Sequence, residues 1–197
     1  FDVFANDFDN NKRLDIVLSY YEGTRQLPLR GRECSSQQIP GIANKFEKYE
    51  DYANADLIDI YTEDKLEEGL HFKAESFASL YVENLGNGTF KSEKLPSEAQ
   101  FSSINSILVN DYNQDGSNDI LLAGNLFASE AETPRNDASI GLFLENNKNS
   151  LKPQPLSISG FLAKNDVKRM REISIDGKQC ILVANNNTEL QVFKVKE

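Results

Sequence analysis

Short runs rich in Ile, Val, Leu and aromatic residues, bounded by Gly, Asn and Asp, recur along most of the chain. They predict strands at 14–20, 78–84, 103–109, 118–124, 139–145, 179–185 and 189–195. Gly86-Asn87-Gly88 and Asn146-Asn147 give turn signals after two of these runs. Between Pro28 and Lys73 the period changes. Ile42, Phe46, Tyr49 and Ala53 fall at i, i+4, i+7 and i+11, one face of a helix. Asp56 opens a second short helix through "LIDIYTEDKLEEGL", which closes on Gly69. The pattern predicts an all-β chain carrying a mainly helical insertion at about 28–73. The insertion is expected on the surface, with Glu47, Lys48, Glu50 and Lys65 forming its solvated face.

The strand-like part repeats. "FANDFDNNKRLDIVLSY" (4–20) aligns with "LVNDYNQDGSNDILLAG" (108–124) at an offset of 104, matching Asn6 with Asn110, Asp7 with Asp111 and Asp15 with Asp119. A fainter copy, "EISIDGKQCILVAN" (172–185), places Asp176-Gly177 on Asp115-Gly116 at an offset of 61. "YVENLGNG" (81–88) similarly resembles "FLENNKNS" (143–150), at an offset of 62. The natural period is therefore close to 61, and the first unit carries about 43 additional residues, those of the insertion. A unit of about 60 residues with three or four strands suits a propeller blade better than a solenoid coil. About three such units make a partial β-propeller, each blade a short antiparallel sheet, because closed rings begin at about four blades.

Between the first two strands of two units lies a concentration of oxygen-bearing side chains. Asp111, Asn113, Asp115 and Asp119 alternate along one tight loop, with the Ser117 carbonyl between them and Gly116 at the sharp turn. Asp7, Asp9, Asn11 and Asp15 take the same places in the first copy, with the Arg13 carbonyl. Lys12 stands where the second loop has glycine, a costlier residue for such a turn. Calcium is a hard cation taking six to eight oxygens, and alternate side chains of a tight loop can turn toward one point. An EF-hand is excluded, since its twelfth position must be Glu and here it is Leu18 or Leu122, with strands rather than helices on both sides. The alternative is that Asp and Asn simply make hydrogen-bonded turns. In the third copy the equivalent residues are Glu172, Ser174, Asp176 and Cys180, and the metal is expected to be lost.

The net charge of −10 argues against a nucleic-acid groove, and no apolar run reaches the length of a membrane span. The opening "FDVFANDFDN" reads like the interior of a domain, so the chain is expected to be a piece of something longer. Cys34 and Cys180 are expected to be unpaired, and a Cys34–His71 nucleophile pair has no supporting motif around either residue.

"NDFDNNKRLDIVLSY", "NDYNQDGSNDILLAGN" and "YVENLGNGTF" together resemble the FG-GAP/VCBS-type repeats of integrin-α-like β-propellers. The closest resemblance is to bacterial proteins of the ASPIC/UnbV and cartilage-acidic-protein type, many of them from Bacteroidetes. The likeness covers most of the chain outside 28–73, although a Phe-Gly…Gly-Ala-Pro signature is missing. It implies calcium loops at one end of the blades and an extracytoplasmic setting, whether cell surface, periplasm or secretion. It also implies a non-catalytic role in adhesion to a protein or glycan ligand. The other open reading is a polysaccharide-acting hydrolase or lyase, with Tyr20, Tyr21, Tyr49 and Tyr61 lining a sugar site. The sequence offers it no catalytic carboxylate pair distinct from the calcium ligands, no zinc motif and no phosphate loop. An incomplete ring further implies self-association through open blade edges.

Overall fold

Alternation along Asp2–Asn6 (β1) and Asp15–Glu22 (β2) turns Phe4 and Val17 to one buried face, together with Asp2 and Ser19. The two strands pair antiparallel from Asp2↔Ser19 to Asn6↔Asp15. Arg25–Pro28 (β3) folds back along the outer part of β2, Glu22↔Arg25 to Ser19↔Pro28. In this computed structural model, which describes residues 1–129, 133–147 and 150–196, the chain forms two compact units, Phe1–Phe77 and Ala78–Glu197.

The insertion holds five short helices: Arg32–Gln38 (α1), Gly41–Lys45 (α2), Tyr49–Ala53 (α3), Leu57–Tyr61 (α4) and Glu63–Glu68 (α5). Leu70–Lys73 (β4) then pairs with β1, giving the sheet order β3-β2-β1-β4. The helices cover the sheet rather than standing off it. Ile39, Ile42, Phe46, Tyr52, Ala55, Leu57, Ile60 and Tyr61 join Phe4 and Val17 in one buried cluster. The surface expectation for the insertion thus gives way, because a lone four-stranded sheet leaves Phe4 and Val17 uncovered without it. The helix expected along 42–53 is broken between α2 and α3, and the one expected over 56–69 is broken at Thr62, whose φ is +64°. Helices of five to seven residues are not stable alone, so burial of separate apolar faces, not local propensity, selects the pieces. Gly69 closes α5 as the sequence requires: a Cβ there would meet Ala5 O and Asn6 Cβ at 3.0 Å.

The second unit opens on a hairpin, Leu80–Gly86 (β5) and Thr89–Lys94 (β6), turned by Asn87 and Gly88, both at positive φ. It then builds a four-stranded meander from Ile104–Asn110 (β7), Asp119–Gly124 (β8), Leu142–Asn146 (β9) and Leu151–Gln154 (β10). A single helical turn, Leu156–Ser159 (α6), leads to a three-stranded meander, Val167–Ile175 (β11), Lys178–Asn185 (β12) and Gln191–Lys194 (β13). β8 is covered on both faces, which explains its unbroken apolar run. Leu121 and Ala123 pack with Val167, Met170 and Val183, while Leu122 packs with Leu144 and Ala99. Gly124 ends the strand where Ser103 O would lie 1.7 Å from any added Cβ.

The fold is thus mostly β, in several small antiparallel sheets, and among the described residues none closes into a barrel. Each predicted strand is present, with shifted ends: 78–84 as β5, 139–145 as β9 and 189–195 as β13. The repeat aligns β5 with β9, yet β9 joins β8 whereas β5 and β6 make a sheet of their own, exposed at every position. In the first unit β3 takes the edge of β2 that β9 takes on β8, so β9 is its topological counterpart.

Candidate metal loops

Both acidic loops connect the first two strands of a meander and start from equivalent pairs, Asn6↔Asp15 and Asn110↔Asp119. Their hydrogen bonds coincide residue by residue. The Asn6 and Asn110 side chains accept from the next amides, Asp7 N at 2.8 Å and Asp111 N at 2.9 Å. Asp7 accepts from Asn11 N and Lys12 N, both at 2.8 Å; Asp111 accepts from Asp115 N at 3.0 Å and Gly116 N at 2.9 Å. Arg13 N donates to Asn11 Oδ1, and Ser117 N to Asp115 Oδ1, at 2.8 Å in each loop. Asp15 and Asp119 close the loops from the second strand, accepting from Phe8 N at 3.0 Å and Tyr112 N at 3.1 Å. Asn10 and Gln114 both sit at φ +61°, and Lys12 at +68° repeats the left-handed turn that Gly116 makes at +87°. Ordinary turn chemistry accounts for single bonds of this kind, but the whole pattern occurs twice.

The first loop gathers its carboxylates most tightly, since one oxygen each of Asp7, Asp9 and Asp15 lies within 4.8 Å of the others. Asp15 is buried, and that burial raises its pKa above the usual aspartate value, with the charges of Asp9 and Asp7 adding to the effect against the Phe8 amide. Three carboxylates converging on a buried member with raised affinity for protons form a donor set that suits a hard divalent cation. Asn11, the fourth side chain of the expected set, is engaged within the loop, accepting from Arg13 N and donating through Nδ2 to Asp9 Oδ2 at 3.1 Å. From the helical side, Lys65 Nζ reaches Asp7 O at 2.9 Å and Asn10 Oδ1 at 2.7 Å. Lys65 is therefore a strut for the loop and not part of a solvated face, as the sequence had suggested.

In the second loop Asn113 Nδ2 donates to Asp115 Oδ2 at 3.2 Å and to Glu145 Oε1 at 3.3 Å. Asp119 also accepts from Asn146 N at 2.9 Å, tying the loop to β9. Glu145, a carboxylate supplied by β9, escaped the sequence reading; the repeated Glu-Asn of "YVENLGNG" and "FLENNKNS" was its signal.

The third copy has no such loop. Ile175↔Lys178 pair across a two-residue turn, Asp176 at φ +50° and Gly177 at +74°, and Glu172 and Ser174 lie inside the ladder opposite Ile181 and Gln179. Glu172 instead accepts from Tyr112 OH at 2.6 Å and from Asn110 Nδ2 at 3.1 Å, bracing the second loop from the neighbouring sheet. Other candidates separate. His71 stacks on Phe4 at 4.3 Å and its Nε2 meets the buried Asp2 at 2.9 Å, and both Cys34 and Cys180 are free thiols. Tyr61 is buried against Phe8 and leaves the proposed sugar-lining set, whereas Tyr20, Tyr21 and Tyr49 are exposed. No described helix is long and apolar enough to cross a membrane. Compared with known proteins, the chain matches no family model, no curated protein and no solved structure.

Proposed function

We propose that this chain is a calcium-stabilised binding module, a partial β-propeller of FG-GAP/VCBS-like repeats belonging to an extracytoplasmic adhesion protein. It holds a protein or glycan ligand and performs no catalysis. Calcium is bound by Asp7, Asp9, Asn11, Arg13 and Asp15 in one loop and by Asp111, Asn113, Asp115, Ser117 and Asp119 in the other. The observation that carries this reading is the duplicated loop, with the same residue places and the same hydrogen bonds in two sheets. Loops of this kind with few carboxylates bind calcium with dissociation constants on the order of 10⁻⁵ to 10⁻³ M. At a hundredfold excess over that constant, one site adds about 2.7 kcal/mol to stability. Calorimetry on the chain should show two calcium sites and a melting temperature that EDTA lowers. A melting temperature indifferent to both EDTA and Asp111→Ala defeats the proposal.

A further inference from the structure

A cavity of about 440 Å³ opens in the first unit between the sheet and helices α4 and α5. That volume lies within the range of small-ligand sites, roughly 300–1,000 Å³. Alternation along β1 turns Asp2 and Phe4 toward the helices, and the register Phe4↔His71 sets the imidazole flat on the Phe4 ring at 4.3 Å. Beneath this stack the Asp2 side chain is only 2% exposed. A carboxylate so deep is costly unless its charge is compensated. His71 Nε2 meets one oxygen at 2.9 Å, while the other has only the Gln26 amide at 3.4 Å, and both of these partners line the cavity. Ile58 and Leu66 extend the apolar wall, and Glu63 and Glu67, one turn apart on α5, add two exposed carboxylates. The nearby cations are spent elsewhere: Arg25 on Asp56 at 2.6 Å, Lys65 on the acidic loop, and Lys45 on Ile60 O at 3.5 Å. No described cation pairs with Glu63 or Glu67. Among the described residues only Asp7, Asp9 and Asp15 bring three acidic ligand atoms within 4.8 Å, so this wider cavity suits an organic cation and not a metal ion.

We infer that this cavity takes a lysine side chain of a partner protein, with the ammonium held by Glu63, Glu67 and His71. Its four-carbon stem lies along Phe4, Ile58 and Leu66, as lysine stems do on apolar surface. Bonded through Nε2 to a carboxylate, the His71 ring presents Nδ1 as an acceptor. The three donors of an ammonium rotate freely and so match acceptors supplied from two separate elements, α5 and β4. A guanidinium is less suited, because its planar fork is matched to a single carboxylate. The unpaired negative charge also draws a basic partner toward the mouth. The inference names the partner chemistry of the binding module proposed above and rests on that reading, but the cavity itself contains no calcium ligand.

The test is fluorescence anisotropy, titrating the full chain into a labelled eight-residue Gly/Ser peptide that carries one central lysine. Saturable binding is expected, at least tenfold weaker when the lysine is acetylated, which keeps the stem and removes the charge. The same loss is expected for 2,3-diaminopropionate in its place, which keeps the charge and shortens the stem, and for Glu63→Gln/Glu67→Gln. Glu47→Gln/Glu50→Gln, which removes equal charge from exposed positions outside the cavity, should leave binding unchanged. Circular dichroism should show both variants folded, since each replaced side chain is exposed. The inference is overturned by absence of binding, by equal affinity of either altered peptide, or by equal losses in the two double variants. It is also overturned if a glucosamine oligosaccharide binds through Glu63 and Glu67 where the peptide does not. Calcium melts on the same samples separate the two readings. A calcium response without peptide binding sinks only this inference; peptide binding without a calcium response sinks only the metal assignment.

Discussion

Lys12 and Asp15 carry opposite strains within one loop, and each predicts a substitution that improves the metal-free protein. Lys12 is held at φ +68°, a conformation costing a residue with a Cβ roughly 1–2 kcal/mol, while glycine forfeits roughly 0.5–1 kcal/mol of unfolded-chain entropy. Lys12→Gly should therefore stabilise the protein by about 0.5–1 kcal/mol in urea melts; an unchanged or lower midpoint would show that the Lys12 side chain contributes more than its backbone costs. Asp15→Asn keeps an oxygen for Phe8 N but removes a buried charge beside Asp7 and Asp9. It should raise the melting temperature in EDTA and reduce the calcium stoichiometry from two to one by titration calorimetry. A higher melting temperature in EDTA with both sites retained would mean that Asp15 is not a ligand.

Among the elements, the strands were legible where alternation or an apolar run met a turn residue, as at Ile120-Leu121-Leu122-Ala123 or before Asn87-Gly88. β1, β6, β10 and β11 were not among the predicted runs, and β3 and β4 were hidden because each is four residues inside a segment whose helical period dominates any window long enough to measure. The loops were legible from side chains repeating at fixed spacing, whereas Glu145 and Lys65 reach them from distant elements and leave no local pattern. The helices were found but misplaced in role, since an amphipathic face looks the same whether it covers a sheet or lies on a surface. Their burial yields a prediction opposite to a dispensable insertion. Replacing 29–69 by a short loop should leave the first unit unfolded, and Leu57→Ala, at a residue 1% exposed, should cost roughly 2–5 kcal/mol. Retention of the first unit's hydrogen-exchange protection in the deletion would return the helices to the surface.

Across the whole molecule, each unit holds a tyrosine, buried in the first and half-buried in the second, that ties its stability to alkaline pH. Tyr61 is pushed well above the usual tyrosine value by burial in the first unit, and Tyr52 beside it is raised for the same leading reason. Tyr112 in the second unit is raised by burial and then by its hydrogen bond to Glu172, which uses the phenol as a donor. A group whose folded pKa lies above its unfolded value near 10.0 holds its proton in the native state after the unfolded chain has lost it. Below pH 10 these residues leave stability unaffected; as pH rises from there toward the folded values, the unfolded state binds fewer protons and native stability is lost. Each such tyrosine tilts the curve by at most about 1.4 kcal/mol per pH unit. Urea midpoints measured from pH 8 to 11.5 should therefore fall above 10, and the part of the tyrosinate absorbance that Tyr61→Phe and Tyr112→Phe remove should appear together with unfolding instead of ahead of it. Tyr61→Phe should flatten the fall for the first unit, and Tyr112→Phe should flatten it for the second while also releasing Glu172. If tyrosinate from these positions forms in the native state near pH 10, the packing of Phe8 on Tyr61 and the bond from Tyr112 to Glu172 are both looser than their geometry requires.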